Sequence, residues 1–163
     1  MDTFSHTLWG KGLFGYRKYG KWALLFGALP DLLSFGLYFI VRFITQGVNM
    51  EFGKPALESI PNWVFIMYDI SHSWVIAFLF IIIFLQINKE LCFPMLAWPF
   101  HILLDFPFHS KEYFPTPILW PISDYRFDGI PWSNPYVWFG NIACIIILFM
   151  YFSSPSVILK SIL

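Results

Sequence analysis

Four stretches of this chain are apolar for about the length that crosses a lipid bilayer: Trp22 to Val41, Trp63 to Ile87, Leu91 to Phe108 and Tyr136 to Phe152. A hydrocarbon core of about 30 Å takes roughly 20 helical residues to cross. None of the four alternates with period two, so they predict helices and not the strands of a barrel. Composition agrees: 58% of residues are hydrophobic and 12% charged, where an ordinary soluble domain carries about 25% charged. Such a balance excludes a disordered chain. Ten Lys+Arg against ten Asp+Glu leave no basic footprint for nucleic acid. The expectation is an all-α polytopic membrane helical bundle, one integral domain over residues 1–163, with about four transmembrane helices at about 22–41, 63–87, 91–108 and 136–152. Lys11, Arg17, Lys18 and Lys21 precede a full-length span with no small-residue cleavage site after it, which argues against a cleaved signal peptide. Cys92 and Cys144 lie in apolar stretches without metal-type or disulfide-type spacing and are expected as buried small hydrophobes.

The connections carry information of their own. Residues 42–62 read as a polar loop with a short interfacial turn. The connection 109–135 holds Pro115, Pro117, Pro121 and Pro131 beside Trp120, Tyr125 and Trp132. That reads either as a stiff cap at the membrane surface or as an ordinary interfacial loop. Residues 3–15 are apolar enough to insert as a further N-terminal helix. With four spans, Lys11, Arg17, Lys18, Lys21, Lys89 and Lys160 share one side, and Arg42, Lys54, Lys111 and Arg126 the other. The positive-inside bias then puts the N-terminus in the cytoplasm.

Ionisable residues inside the apolar stretches are the second constraint. Asp31 sits in the first, Asp69 and His72 in the second, His101 and Asp105 in the third, and His109 at its end. A carboxylate at mid-membrane costs about 2.5–3.5 kcal/mol on insertion scales, and no Lys or Arg lies within these spans to offset it. His101 and Asp105 are i and i+4, and Asp69 and His72 are i and i+3, so each pair shares a helix face. Antiparallel packing brings Asp31, His72, His101 and Asp105 to compatible depths, displaced toward the face of the two long connections, so the site is expected to open outward. Two carboxylates and two neutral imidazoles carry two negative charges, which one divalent ion cancels. A nitrogen and oxygen donor set suits zinc, and also manganese or iron. Plainer readings stand beside this one. A lone histidine is often a hydrogen-bonded core residue, and Asp31 after Pro30 can cap a broken helix. Asp69 is placed to hold the far nitrogen of His72, and Asp124 and Asp128 are turn residues. His6 reaches the cluster only if residues 3–15 insert, and His109 only if the helix continues past Pro107.

In order along the chain, Ser-His-Thr (Ser5–Thr7), Gly-Ala-Leu-Pro-Asp (Gly27–Asp31), Ser-His-Ser (Ser71–Ser73) and His-x-x-x-Asp (His101–Asp105) resemble the blocks of a bacterial family. Its members are inner-membrane proteins described as membrane-bound metal-dependent hydrolases, distant relatives of zinc-dependent phospholipase C. The resemblance spans about residues 1–130. It implies that Asp31, His72, His101 and Asp105 ligate one metal, and that His6 joins Asp105 on a second with Asp105 bridging. It also suggests His109 as a further metal histidine, with Ser71 and Ser73 supporting His72. Familiar members carry His-Arg shortly before Ser-His-Ser; Met67 and Tyr68 lie in that stretch here. The function this implies is hydrolysis of a phosphoester or related ester in a lipid or other membrane-associated substrate. One or two divalent ions, zinc first, would serve it, with Asp31 or Asp69 handling the proton of the attacking water. The rival readings are a non-catalytic metal-stabilised membrane subunit and a small ion or proton transporter. The transporter reading is disfavoured by the lack of an inverted repeat.

Overall fold

The computed structural model describes residues 1–47 and 53–152. Residues 48–52 of the first long connection, and the tail with Lys160, lie outside the described residues. All regular structure in the described residues is helical. Helix α1 is Thr3–Phe14. Helix α2 (Trp22–Asp31) runs through a π-helical turn, Leu32–Gly36, into α3 (Leu37–Gln46), giving an apolar rod of 25 residues. Helices α4 (Asn62–Ser71) and α5 (Trp74–Ile87) follow. Helices α6 (Lys89–Met95) and α7 (Ala97–Phe108) form a second rod of 20 residues, and α8 (Pro135–Phe152) a third of 18. These three rods are long and apolar enough to cross a membrane, consistent with an integral membrane protein.

The stretch expected to cross as one helix over 63–87 is broken. Helices α4 and α5 meet at an angle of 56°, and the break falls at His72 and Ser73. Ser73 is extended and caps α5, its hydroxyl oxygen accepting the Ile76 N–H at 3.3 Å. The Trp74 N–H, left over at the new helix start, donates to the Ile118 carbonyl at 2.9 Å. Two polar residues barely lower the hydropathy of a window, so a local cap reorients a helix that composition reads as continuous. The first connection also differs from expectation. The helix persists to Gln46, and the short turn is a 3-10 turn at Leu57–Ser59.

Residues 3–15 do fold as a helix packed into the bundle. Asp2 caps α1, accepting the Ser5 N–H at 2.8 Å. Its close approach to α2 depends on two glycines. A Cβ on Gly10 would lie 2.6 Å from the Ala23 carbonyl oxygen, and one on Gly27 2.7 Å from that of His6. On the far side Trp9 donates to the Asn141 side-chain oxygen, and Asn141 donates to Ser5, each at 2.8 Å, tying α1 to α8.

The connection after α7 packs back onto the helices. Ile130 and Trp132 donate to the carbonyls of Pro107 and Phe108 at 3.0 and 2.9 Å. Phe114 is buried with Tyr38, Val64 and Tyr68, and Ile118 with Ala77, Trp98 and Ile102. Of the cysteines, Cys92 is buried as expected, but Cys144 is exposed. It lies on α8, most of whose residues are exposed.

Candidate metal centre

Three segments deliver the polar cluster. Asp31 ends α2, immediately before the π-helical turn. In that turn the Pro30 carbonyl accepts the hydroxyls of Ser34 at 3.0 Å and of Ser71 at 3.1 Å, which joins α2 to the end of α4. His72 occupies the break between α4 and α5. His101 and Asp105 face inward from successive turns of α7 and are buried. Asp31, His72, His101 and Asp105 each offer one donor atom, and the four atoms lie within 4.8 Å of one another.

Their separations can be compared with what an ion requires. The two histidine Nε2 atoms are 3.2 Å apart. His72 Nε2 is 3.6 Å from Asp31 Oδ1 and 3.6 Å from Asp105 Oδ2; the corresponding distances from His101 Nε2 are 3.7 and 3.2 Å. Four donors held about 2.0–2.2 Å from a tetrahedral ion stand roughly 3.3–3.6 Å from each other. The five spacings that involve a histidine are therefore close to those of a four-coordinate cation site.

Protonation points the same way. His101 Nδ1 lies 2.7 Å from the Gly27 carbonyl oxygen, and His72 Nδ1 lies 3.1 Å from that of Tyr68. A carbonyl only accepts, so each Nδ1 carries the proton and, in the neutral ring, each Nε2 is an acceptor. Four acceptors then converge with no proton among them, an arrangement that burial penalises. Asp105 Oδ2 indeed has no hydrogen-bond partner. A metal ion satisfies all four at once, and the carbonyl partners fix the rings as supporting groups of metal-bound histidines do. These residues fit a metal ion.

Further groups surround the quartet. His6 is buried, with Nε2 2.8 Å from Asp105 Oδ1 and its ring stacked on His101 at 3.6 Å. His6 Nδ1 has no partner. His109 follows the last residue of α7, its Nε2 3.4 Å from the same Asp105 oxygen and its Nδ1 2.8 Å from the Phe114 carbonyl oxygen. The Met1 nitrogen also lies against Asp105 Oδ1. Asp105 thus turns one oxygen to the quartet and the other to His6 and His109. Thr3 donates to Asp31 Oδ2 at 2.7 Å.

Asp69 is elsewhere. It does not hold the far nitrogen of His72, which faces Tyr68 and Ser71. Its two oxygens accept from Arg126 at 2.8 Å each, and Arg126 also donates to the Pro115 carbonyl at 2.9 Å. Asp69 and His72 share a helix face by spacing, but the helix ends between them, and the cation comes from a connection 57 residues away. In the sequence Arg126 is only one of the basic residues of a connection, with no local signal that marks it as a partner of Asp69. Ser71 Oγ sits 3.0 Å from His72 Nδ1, whereas Ser73 donates to the Trp120 carbonyl and serves the helix break. Asp128 accepts the Lys111 N–H at 2.8 Å, a loop role, and Asp124 is exposed.

No family model, curated protein or solved structure matches this chain. The family resemblance accordingly rests on the four sequence blocks alone.

Proposed function

We propose that the chain is a metal-dependent membrane hydrolase that cleaves a phosphoester or related ester of a lipid or membrane-associated substrate, with zinc as its ion. The observation that carries this reading is the quartet of mutually facing acceptors on three separate segments. The five separations that involve a histidine, 3.2–3.7 Å, exceed the roughly 3.0 Å between neighbouring ligands of an octahedral ion at about 2.1 Å, which favours zinc. A bound divalent ion supplies Lewis acidity and lowers the pKa of water. The residues of the chain do the rest. The carbonyls of Gly27 and Tyr68 hold His101 and His72 in the tautomer that leaves Nε2 bare. Thr3 fixes one oxygen of Asp31, the one member of the quartet with exposed side-chain surface, 13% against 0% for the other three. Asp31 is therefore the group that meets solvent or substrate and takes up a proton. Asp69, neutralised by Arg126, has no part in that step. The family resemblance supports residence in a bacterial inner membrane, and the bias of basic residues toward the N-terminal side supports a cytoplasmic N-terminus.

One observation favours a second reading. Three of the four ligand side chains are wholly buried, as in an ion that only holds a bundle together. The two readings separate on purified protein in detergent. Zinc bound stoichiometrically, with phospholipid or phosphodiester turnover that His101→Ala abolishes, supports the hydrolase. Stoichiometric zinc without turnover across a broad ester panel removes the enzyme and leaves the structural ion.

A further inference from the structure

Tyr68 is buried on the last turn of α4, one helical turn before His72. It touches that histidine twice. Its carbonyl accepts the His72 Nδ1 proton at 3.1 Å, and its ring lies against the imidazole, centroids 3.8 Å apart at 19°. The phenol meets the connection after α7. It donates to the Phe114 carbonyl at 2.9 Å, with the Thr116 hydroxyl 3.3 Å from its oxygen.

That Phe114 carbonyl has a second partner. His109 Nδ1 lies 2.8 Å from it, and since a carbonyl only accepts, this nitrogen carries the proton. In the neutral ring His109 Nε2 is then bare, and it is the atom 3.4 Å from Asp105 Oδ1. One oxygen, with two lone pairs, takes the phenol and the imidazole together. The backbone at this point is held against its preference. Phe114 is buried at φ +51°, in the left-handed region that a bulky L residue rarely adopts. Such a residue persists only where its surroundings over-determine it, and strain of this kind gathers at functional sites. Its ring is clamped as well: Phe65 stacks on it at 4.7 Å and Tyr68 meets it edge-on at 5.0 Å. Packing alone would be met by phenylalanine at position 68. The hydroxyl is what fixes the Phe114 carbonyl.

We propose that Tyr68 is the positioning residue that ties the quartet to the connection after α7. Its ring and carbonyl set His72, and its hydroxyl, through the Phe114 carbonyl, sets the tautomer of His109 beside Asp105. The proposal rests on the metal-centre part of the reading above and not on ester cleavage.

The chain holds four histidines, so nitrogen-15 histidine labelling of the full chain in detergent gives signals assignable by removing one histidine at a time. In the zinc-free wild type, His72 and His109 are expected as single Nδ1–H tautomers. Tyr68→Phe keeps the ring and the backbone carbonyl, so His72 stays as it was and zinc affinity, read by chelator competition, holds. His109 splits between two tautomers, because Phe114 loses a bond that keeps its strained conformation. Tyr68→Leu also removes the stacked ring, and zinc affinity falls by roughly 10–100-fold. A melting temperature that drops in both variants while His109 keeps one tautomer in Tyr68→Phe makes Tyr68 a packing residue and overturns the proposal. So does a Tyr68→Leu protein that binds zinc as the wild type does. Should Tyr68→Leu not fold, the His109 signal in Tyr68→Phe decides alone. Zinc bound without ester turnover sinks the hydrolase and leaves the role of Tyr68 standing; ester turnover with His109 unmoved by Tyr68→Phe does the reverse.

Discussion

Asp105 and Asp69 begin from the same difficulty and end in opposite states. Each is a carboxylate in an apolar stretch with a histidine one helical turn away. Asp69 is met by Arg126, a permanent cation delivered by the connection after α7, and both side chains stay partly exposed, 21% and 29%. Asp105 is wholly buried among histidines with the Met1 ammonium against one oxygen, and among the described residues no Lys or Arg side chain pairs with it. One region is electrostatically complete within the chain; in the other the Met1 ammonium offsets one of the two carboxylate charges and the second is left for an ion from outside. A histidine at helical spacing therefore does not distinguish a ligand from a clasp. What distinguishes them is whether distant segments supply enough positive charge to balance every carboxylate in the cluster.

That contrast can be broken in stages. Asp105→Asn should do most: it removes the charge shared by both halves of the cluster, and elemental analysis should find the bound metal gone. Chelation of the wild type should lower its melting temperature, by the equivalent of about 4 kcal/mol where the free ion had stood at a thousand times its Kd. The asparagine variant should not respond to chelator at all. Gly27→Leu comes next. Its side chain would strike the backbone at His6, so α1 must shift, at a cost of about 1–3 kcal/mol. Metal affinity should drop by roughly 10–100-fold as the outer groups are displaced, read by competition with a chromogenic chelator. Asp69→Asn should be milder. It breaks a partly exposed pair worth about 1 kcal/mol after screening and should leave metal content intact; loss of metal here would show that the two regions are one. Glu90→Gln should be smallest. Its partner Lys18, held above the ordinary lysine value by the Glu90 hydrogen bond and charge, is exposed, and the melting temperature should not move measurably.

Much of the centre was readable from spacing. His101 and Asp105 are four residues apart on a helix that does form, so helical geometry alone puts them on one face. Asp31 and His72 required that separate helices meet at one depth, which the apolar lengths suggested. The break at His72–Ser73 was not readable, because hydropathy averages over a window and a single serine cap bends the chain by 56° within it. The Asp69–Arg126 pair was missed for a different reason: spacing says nothing about contacts across 57 residues. The exposure of Cys144 shows the same limit, since an apolar stretch facing lipid and one facing protein look alike in sequence.

The sequence by itself determined that the chain is helical, that its helices are apolar enough for a membrane, and that its few internal acids and histidines need a neutralising partner. These follow from local properties: side-chain hydropathy, the 3.6-residue helical repeat, and the cost of an unpaired charge in a low dielectric. The tertiary structure decided which acid finds an arginine in the chain and which is set among imidazole nitrogens with the Met1 ammonium beside it. It also brought His6 to the cluster, through two glycines that let α1 lie against α2. Both outcomes depend on which distant surfaces touch, and contact between surfaces is a property of the packed bundle, not of any stretch of residues within it.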